Sequence, residues 1–168
     1  MTDFYIFRHG DTAESGNLLI KLFGHKGDSH HLPILPKGVP ALEKIGQYLK
    51  NIPTDADFTS PYLRCIDSAK IVCGITGKVY QPDERLNEFE KNGEGFPNFK
   101  KRVVNFFNEI GGKNYSAVSI CTHGAIISAL KHLATGRKFS FFQVLDFPSP
   151  GNLIIIKNKE VKRIDFNS

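Results

Sequence analysis

Apolar residues along this chain come in short runs, separated by longer stretches in which they recur every three or four positions. Phe4, Tyr5, Ile6 and Phe7 stand in a row, which predicts a buried strand over 3–8. The run SAVSIC predicts a second over 116–121. Shorter or weaker runs predict strands at 56–60, 78–81, 141–145, 152–157 and 160–166. Between them Val39, Leu42, Ile45, Gly46 and Leu49 follow a helical period, with Pro40 suited to a first turn, so a helix is expected over 37–51. Ser60-Pro61 resembles a cap and early proline for a helix running to about Ile75. Two more helices are expected over 97–110, stopped by Gly111-Gly112, and over 125–134, stopped by Gly136. Strands alternating with helices predict an α/β layer fold with a mainly parallel sheet. No repeat, low-complexity tract or linker breaks the pattern, and residues 1–168 read as one domain.

The polar residues matter most where the apolar runs stop. YIFRHG and SICTHG share one plan: an apolar strand, a polar residue, a histidine and a glycine. Ligands of open α/β sheets bind beyond the carboxyl ends of the strands. If these two strands are neighbours, about 5 Å apart, His9 and His123 face each other across one mouth. The glycines let backbone N–H groups turn toward a ligand, and the helix after His123 would point its positive end there. A third strand end, ADFTSPYLR, adds Arg64 within the first turn of the next helix. Two arginines, Arg8 and Arg64, then converge with two imidazoles. A guanidinium next to an apolar core is costly unless an anion meets it, and its fork of donors matches phosphate oxygens.

Composition narrows the setting. The net charge is +5, which favours anionic partners. Lysines and arginines are scattered, and the clusters 100–102 and 157–163 lack interleaved aromatics, so no nucleic-acid partner is expected. Three cysteines (Cys65, Cys73, Cys121) sit in apolar surroundings with no C-x-x-C spacing, which suits free thiols in a reducing compartment. There is no apolar run of membrane-spanning length and no signal-peptide pattern, so a cytoplasmic location without membrane partners is expected. Residues 9–36 form a long polar segment, usually a sign of a functional or mobile stretch. Its His25, His30 and His31 fit no common metal spacing and suit a solvated or substrate-facing loop.

The segments FRHGDT, SPYLRCIDSAK, RLNE and THGAIIS resemble, in order, the signature segments of the histidine phosphatase superfamily, which includes the cofactor-dependent phosphoglycerate mutases. ILPKGVPALEKIGQYL and GEGFPNFKKRVVNFF resemble two further family segments, so the likeness spans nearly the whole chain. The resemblance implies a three-layer α/β/α sandwich around the mainly parallel sheet, with chemistry through a phosphorylated histidine and no metal or other cofactor. His9 matches the nucleophile. Arg8, Arg64 and His123 match the groups that hold the phosphoryl oxygens, with His123 acting best as a protonated donor. Glu88 matches the usual general acid, and Asp11 is the runner-up. The family's asparagine position falls on Ser15, with Asn17 two residues on, and either residue could donate to phosphate. The span from Glu88 to Gly93 is short where many relatives carry a covering insertion, which implies an open, lightly lidded site.

The expected function is a metal-independent phosphatase acting on an anionic phosphorylated substrate, either a small phosphate monoester or a phosphoprotein. One alternative is phosphoglycerate mutase-type phosphoryl transfer. It needs an intermediate shielded from water, which a short lid opposes. The other is a phospho-ligand binding module without catalysis, which leaves both histidines and Glu88 without a purpose.

Overall fold

The computed structural model describes residues 1–15, 30–90 and 93–167. Six strands form one sheet: β1 (Asp3–Arg8), β2 (Ala56–Thr59), β3 (Tyr80–Pro82), β4 (Ala117–Thr122), β5 (Asn152–Lys157) and β6 (Glu160–Asp165). Their order is β3-β2-β4-β1-β5-β6. Pairings among β3, β2, β4 and β1 are parallel, whereas β5 pairs antiparallel with β1 and β6 antiparallel with β5. The helices are α1 (Val39–Leu49), α2 (Leu63–Thr76), α3 (Phe96–Gly112) and α4 (Gly124–Ala134). The mixed α/β fold expected from the sequence is therefore present, with a sheet that is mostly parallel.

Side-chain alternation on the strands divides the core in two. Phe4 and Ile6 of β1 join Val118, Ile120, Ile154 and Ile156 under α3 and α4. Tyr5 and Phe7 point the other way and pack with Cys121, Leu153 and Ile155 under α1 and α2. A sheet covered on both faces explains why its central strands read as unbroken apolar runs. Each helix presents the stripe that its sequence period requires. Leu42, Ile45 and Leu49 are buried on α1, and Phe99, Val103, Phe106 and Ile110 on α3. Helix α4 is buried over its first seven residues, consistent with its nearly uniform apolar sequence. Gly77 ends α2 in the left-handed conformation, φ 71°, with its N–H donating to the Cys73 carbonyl.

Three expectations need correction. Residues 141–145 do not form a strand: Phe141–Leu145 is a 3-10 helix, because Ser140 and Gln143 close a reciprocal capping box around its first turn. Gly111 and Gly112 do not follow α3 but form its last two residues, and the N–H of the capping Lys113 donates to the Ile110 carbonyl. Ser60 does not cap α2 by a side-chain hydrogen bond. The helix starts at Leu63 after Tyr62, and the Ser60 hydroxyl is engaged elsewhere. The long segment 9–36 also contains a short apolar patch, Leu18 to Phe23, which lies outside the described residues.

Phe106 is fully buried and meets Phe58 edge-on at 5.4 Å between ring centroids. Phe106→Ala is expected to lower unfolding free energy by about 3–5 kcal/mol through lost burial and the cavity left behind. Val79→Ala, at a residue 76% exposed, should stay within about 0.5 kcal/mol. Urea unfolding of both variants checks the assignment of the core.

Candidate active site

The register of two strands builds the site. Arg8 of β1 is paired with Thr122 of the adjacent, parallel β4, so His9 and His123 each stand one residue past a matched strand end. The His9 N–H donates to the Thr122 carbonyl at 3.1 Å, which carries the pairing one step beyond the strand. The two imidazole centroids are 5.2 Å apart, with the rings inclined at 61°. Strand β2 lies on the other side of β4, and the Ser60 N–H donates to the Cys121 carbonyl at 3.1 Å. The chain then turns into α2, whose second residue is Arg64. Both histidines and Arg64 are buried.

Each group is oriented by named partners. His9 Nδ1 lies 2.8 Å from the Gly10 carbonyl, so this nitrogen carries the proton and donates. Nε2 keeps its lone pair and accepts from Arg64 Nε at 3.2 Å. Arg64 lies over the Tyr62 ring at 4.9 Å. Arg8 donates through Nη1 to the Pro148 carbonyl at 2.9 Å and stacks over Phe147 at 4.9 Å, while its buried Nε has no partner. Phe147 also presses on the start of α4. A Cβ at Gly124 would lie 2.6 Å from the Phe147 ring, so only glycine fits after His123.

His123 Nε2 is 2.8 Å from Ser60 Oγ, and Ser60 donates to Asn87 Oδ1 at 3.0 Å. With its own proton used on Asn87, Ser60 accepts, so His123 donates from Nε2. The Cys65 sulfur lies 3.4 Å from the same nitrogen. Ser60, Asn87 and Cys65 were not picked out as functional in the sequence. The serine of the Ser-Pro turn reads equally well as a helix cap, and nothing local ties Asn87 to a residue beyond β4.

The electrostatics follow from burial beside cations. Burial pushes His9 well below the ordinary imidazole value, and Arg64 and Arg8 push it further. His123 is lowered by burial first, then by Arg64, His9 and Arg8. Both rings are therefore neutral in the free protein. For His123 this differs from the protonated donor expected from the sequence, because the two arginines share its dry pocket. Burial also works against the charge of Arg8, partly offset by Glu88.

Glu88 is brought to the same mouth. Its Oε1 accepts from the Phe89 N–H at 2.9 Å and from the Ala125 N–H, in the first turn of α4, at 3.3 Å. The positive end of that helix thus meets a carboxylate of the chain itself. Arg102 fixes the supporting loop: it pairs with Glu94 and donates to the carbonyls of Arg85 at 2.7 Å and Glu88 at 3.1 Å.

The remaining candidates have partners of their own. The Asp11 carboxylate faces Lys37 at 3.6 Å. The Ser15 hydroxyl accepts from the Thr12 N–H at 2.8 Å and sits 3.2 Å from the Thr12 hydroxyl, closing a turn. Asn17 and His25 lie outside the described residues. His30 joins Glu90 and Tyr62, and His31 is exposed. Among the described residues, no three His, Cys, Asp or Glu side chains form a group that could hold a metal ion. The three cysteines are free. No described helix is long and apolar enough to cross a membrane.

Comparison with known proteins places this geometry. The family model described as histidine phosphatase superfamily (branch 1) matches residues 4–91 and 88–163. No curated protein sequence matches the chain. Among solved structures, the alpha-ribazole phosphatase from Shigella flexneri is 18% identical with a TM-score of 0.72, over 99% of this chain and 96% of that one. YhfR of Bacillus stearothermophilus is 17% identical with a TM-score of 0.73, over 100% of both chains. The protein histidine phosphatase SixA, complexed with tungstate, is 13% identical with a TM-score of 0.67, over 97% and 94%. At these identities the likeness is one of fold.

The two neutral histidines make stability depend on pH. Both are held below the ordinary value of 6.5, so under pH 6.5 the unfolded chain binds protons that the folded chain does not. Stability is therefore fully present above pH 6.5 and falls as pH drops below it, by up to about 1.4 kcal/mol per pH unit for each ring. Asp83 and Glu90 are held below 3.8 and 4.5 and lose their contributions only under those values. Asp57, raised by burial, acts in the opposite sense, so the comparison with a histidine variant, not the native slope alone, reads out the imidazole. Urea midpoints from pH 6.5 to about 5 should fall with pH in the native chain, and His123→Asn should remove about half of the slope.

Proposed function

We propose that this chain, which belongs to the histidine phosphatase superfamily (branch 1), is a phosphatase that hydrolyses a phosphate monoester or phosphoprotein through a phosphohistidine on His9. One observation carries the reading. The buried, neutral His9 ring has its Nδ1 proton tied to the Gly10 carbonyl and its Nε2 lone pair directed at Arg64, 5.2 Å from the second strand-end imidazole. That is the arrangement a nitrogen nucleophile for phosphorus needs.

On substrate binding, Arg64 turns its donors from Nε2 to the phosphoryl oxygens, which frees the lone pair. Arg8 brings its unpartnered Nε and compensates its buried charge with that of the phosphate. His123 completes the cradle. Its Nε2 proton is held by Ser60, so donation to phosphate from the other nitrogen requires a second proton, and the arriving anion offsets the cationic field that keeps the ring neutral. Nε2 of His9 then forms a bond to phosphorus as the ester P–O bond breaks on the opposite side. The leaving oxygen takes a proton from Glu88. Oε1 of that carboxylate already accepts from two backbone N–H groups, so the proton it passes on is one that Oε2 takes from the incoming phosphate monoanion. In the second half, water loses a proton to Glu88 and attacks phosphorus. The P–N bond breaks and inorganic phosphate leaves with His9 neutral again.

The phosphatase neighbours support this reading at the level of fold, and the pairing of Asp11 with Lys37 favours Glu88 as the acid. Labelled substrate quenched in alkali, where a phosphoramidate survives, should leave phosphate on His9, and His9→Ala should abolish turnover. A fully active His9→Ala would falsify the mechanism. Glu88→Gln should slow an alkyl phosphate by roughly a hundredfold or more yet slow p-nitrophenyl phosphate far less, because nitrophenolate leaves without a proton. Asp11→Asn should leave that contrast unchanged. If Asp11→Asn reproduces the contrast and Glu88→Gln does not, the acid is Asp11.

A further inference from the structure

Beside the phosphate pocket stands a group that the mechanism above does not use. Tyr62, buried at the start of α2, presents its ring edge to His123, with centroids 5.1 Å apart, and its face to the Arg64 guanidinium at 4.9 Å. Its hydroxyl donates to Glu90 Oε1 at 2.6 Å. His30 stacks on the same ring at 4.2 Å, and its Nε2 lies 3.1 Å from that carboxylate oxygen. The backbone fixes this stack as well, since the Leu63 N–H donates to the His30 carbonyl at 2.9 Å. The Glu90 carboxyl, about half exposed, is held below its ordinary value first by the tyrosine hydroxyl and then by His30, so it is an anion. A planar wall tipped with negative charge therefore stands one tyrosine ring out from a positive pocket.

The direction of the reaction decides what meets this wall. In-line attack by His9 sends the leaving oxygen away from His9, toward Glu88. Glu90 follows Glu88 by two residues on the same loop, so the body of the leaving group emerges beside Glu90 and Tyr62. The arginines do not compensate an anion there, because Arg8 and Arg64 are committed to the phosphoryl oxygens. Among the described residues, Arg102, which also acts on Glu90, is engaged by Glu94 and two carbonyls.

We propose that the Tyr62–His30–Glu90 wall is a specificity determinant that admits phosphomonoesters with neutral or cationic leaving groups and rejects those with a carboxylate or second phosphate near the ester. This deepens the phosphatase reading and rests on it. A substrate with a hydroxyl or ammonium group at that distance gains a hydrogen bond or ion pair with Glu90, whereas a carboxylate meets like charge across a partly dry rim. For a phosphoprotein, the same rule favours basic over acidic residues next to the modified side chain.

Glycerol 3-phosphate and 3-phosphoglycerate form a matched pair, differing by a hydroxymethyl group in place of a carboxylate. The native enzyme should favour glycerol 3-phosphate in kcat/KM by about tenfold, the scale of one like-charge contact at a partly screened surface. Glu90→Gln keeps an acceptor for the Tyr62 hydroxyl and should narrow the ratio several-fold, chiefly through the KM for 3-phosphoglycerate. Glu90→Lys should invert it. A native ratio near one, or a ratio that neither variant moves, overturns the proposal. Parallel turnover by His9→Ala separates the two readings: His9-dependent hydrolysis with an unmoved ratio sinks the specificity wall alone, and activity without His9 sinks the phosphohistidine mechanism whatever the ratio.

Discussion

Adjacency of β1 and β4, in parallel and in the register that sets Arg8 against Thr122, is the constraint on which the rest of this molecule depends. Neighbouring strands are about 4.8 Å apart, and the imidazoles that continue them are 5.2 Å apart. The ring separation is thus set by the hydrogen-bond ladder of the sheet and does not depend on loop placement. A slip of one residue would turn one ring to the opposite face of the sheet. Parallel strands also require crossover helices, and those helices cover both faces. The strand ends therefore open into ground already dry on either side. Burial, the first cause of neutrality at both histidines, follows from the same topology that brings them together.

What the sequence made legible was local. The apolar run over 4–7 and the run ending at Cys121 mark central strands because a sheet covered on both faces has no polar side to interrupt them. A histidine and a glycine directly after each run place two imidazoles at strand ends with no knowledge of the tertiary fold. Segment 141–145 misleads for the same reason. Phe-Phe-Gln-Val-Leu has the composition of a strand, but composition is a weak preference beside a specific local hydrogen bond. Ser140 and Gln143 supply that bond, Phe141 packs against Phe89 and Phe96, and Phe142 is left exposed. Gly111 and Gly112 mislead in the other direction. Exposed glycines at the end of a helix weaken it without preventing it, and the buried stripe through Ile110 carries α3 through them to Gly112.

The part of the site that could not be read belongs to pairs distant in sequence. Ser60 meets His123 63 residues away, and Glu88 meets the Ala125 N–H 37 residues away. Each residue type had an adequate local explanation, a cap for the serine and a solvated acid for the glutamate. Only the fold shows that the serine sets which nitrogen of His123 donates, and that the glutamate occupies the helix end expected to face the ligand. The protonation of His123 shows the same limit. A histidine beside a phosphate is naturally pictured as charged. The free pocket already holds two guanidinium groups, and a third positive charge in dry surroundings is the one that does not form.

Placement of charge across the mouth then has a single logic. Inside, Arg8 rests on a carbonyl and an aromatic face with Nε bare, and both imidazoles are neutral. An acid at that depth would compete with phosphate for Arg64. Among the described residues, the acids of this site stand back from that position. Glu88 has one oxygen held by backbone N–H groups, and Glu90 is separated from the pocket by the full width of Tyr62 and shares its charge with a phenol and an imidazole. The resulting field is positive at the bottom and negative at the rim. Such a field orients a phosphomonoester before contact, phosphate first, and does so most strongly when the far end of the molecule carries no negative charge of its own. The same separation leaves Arg8 only partly offset by Glu88 until substrate arrives, so the electrostatic cost of the pocket and its affinity for a phosphoryl group have a common origin.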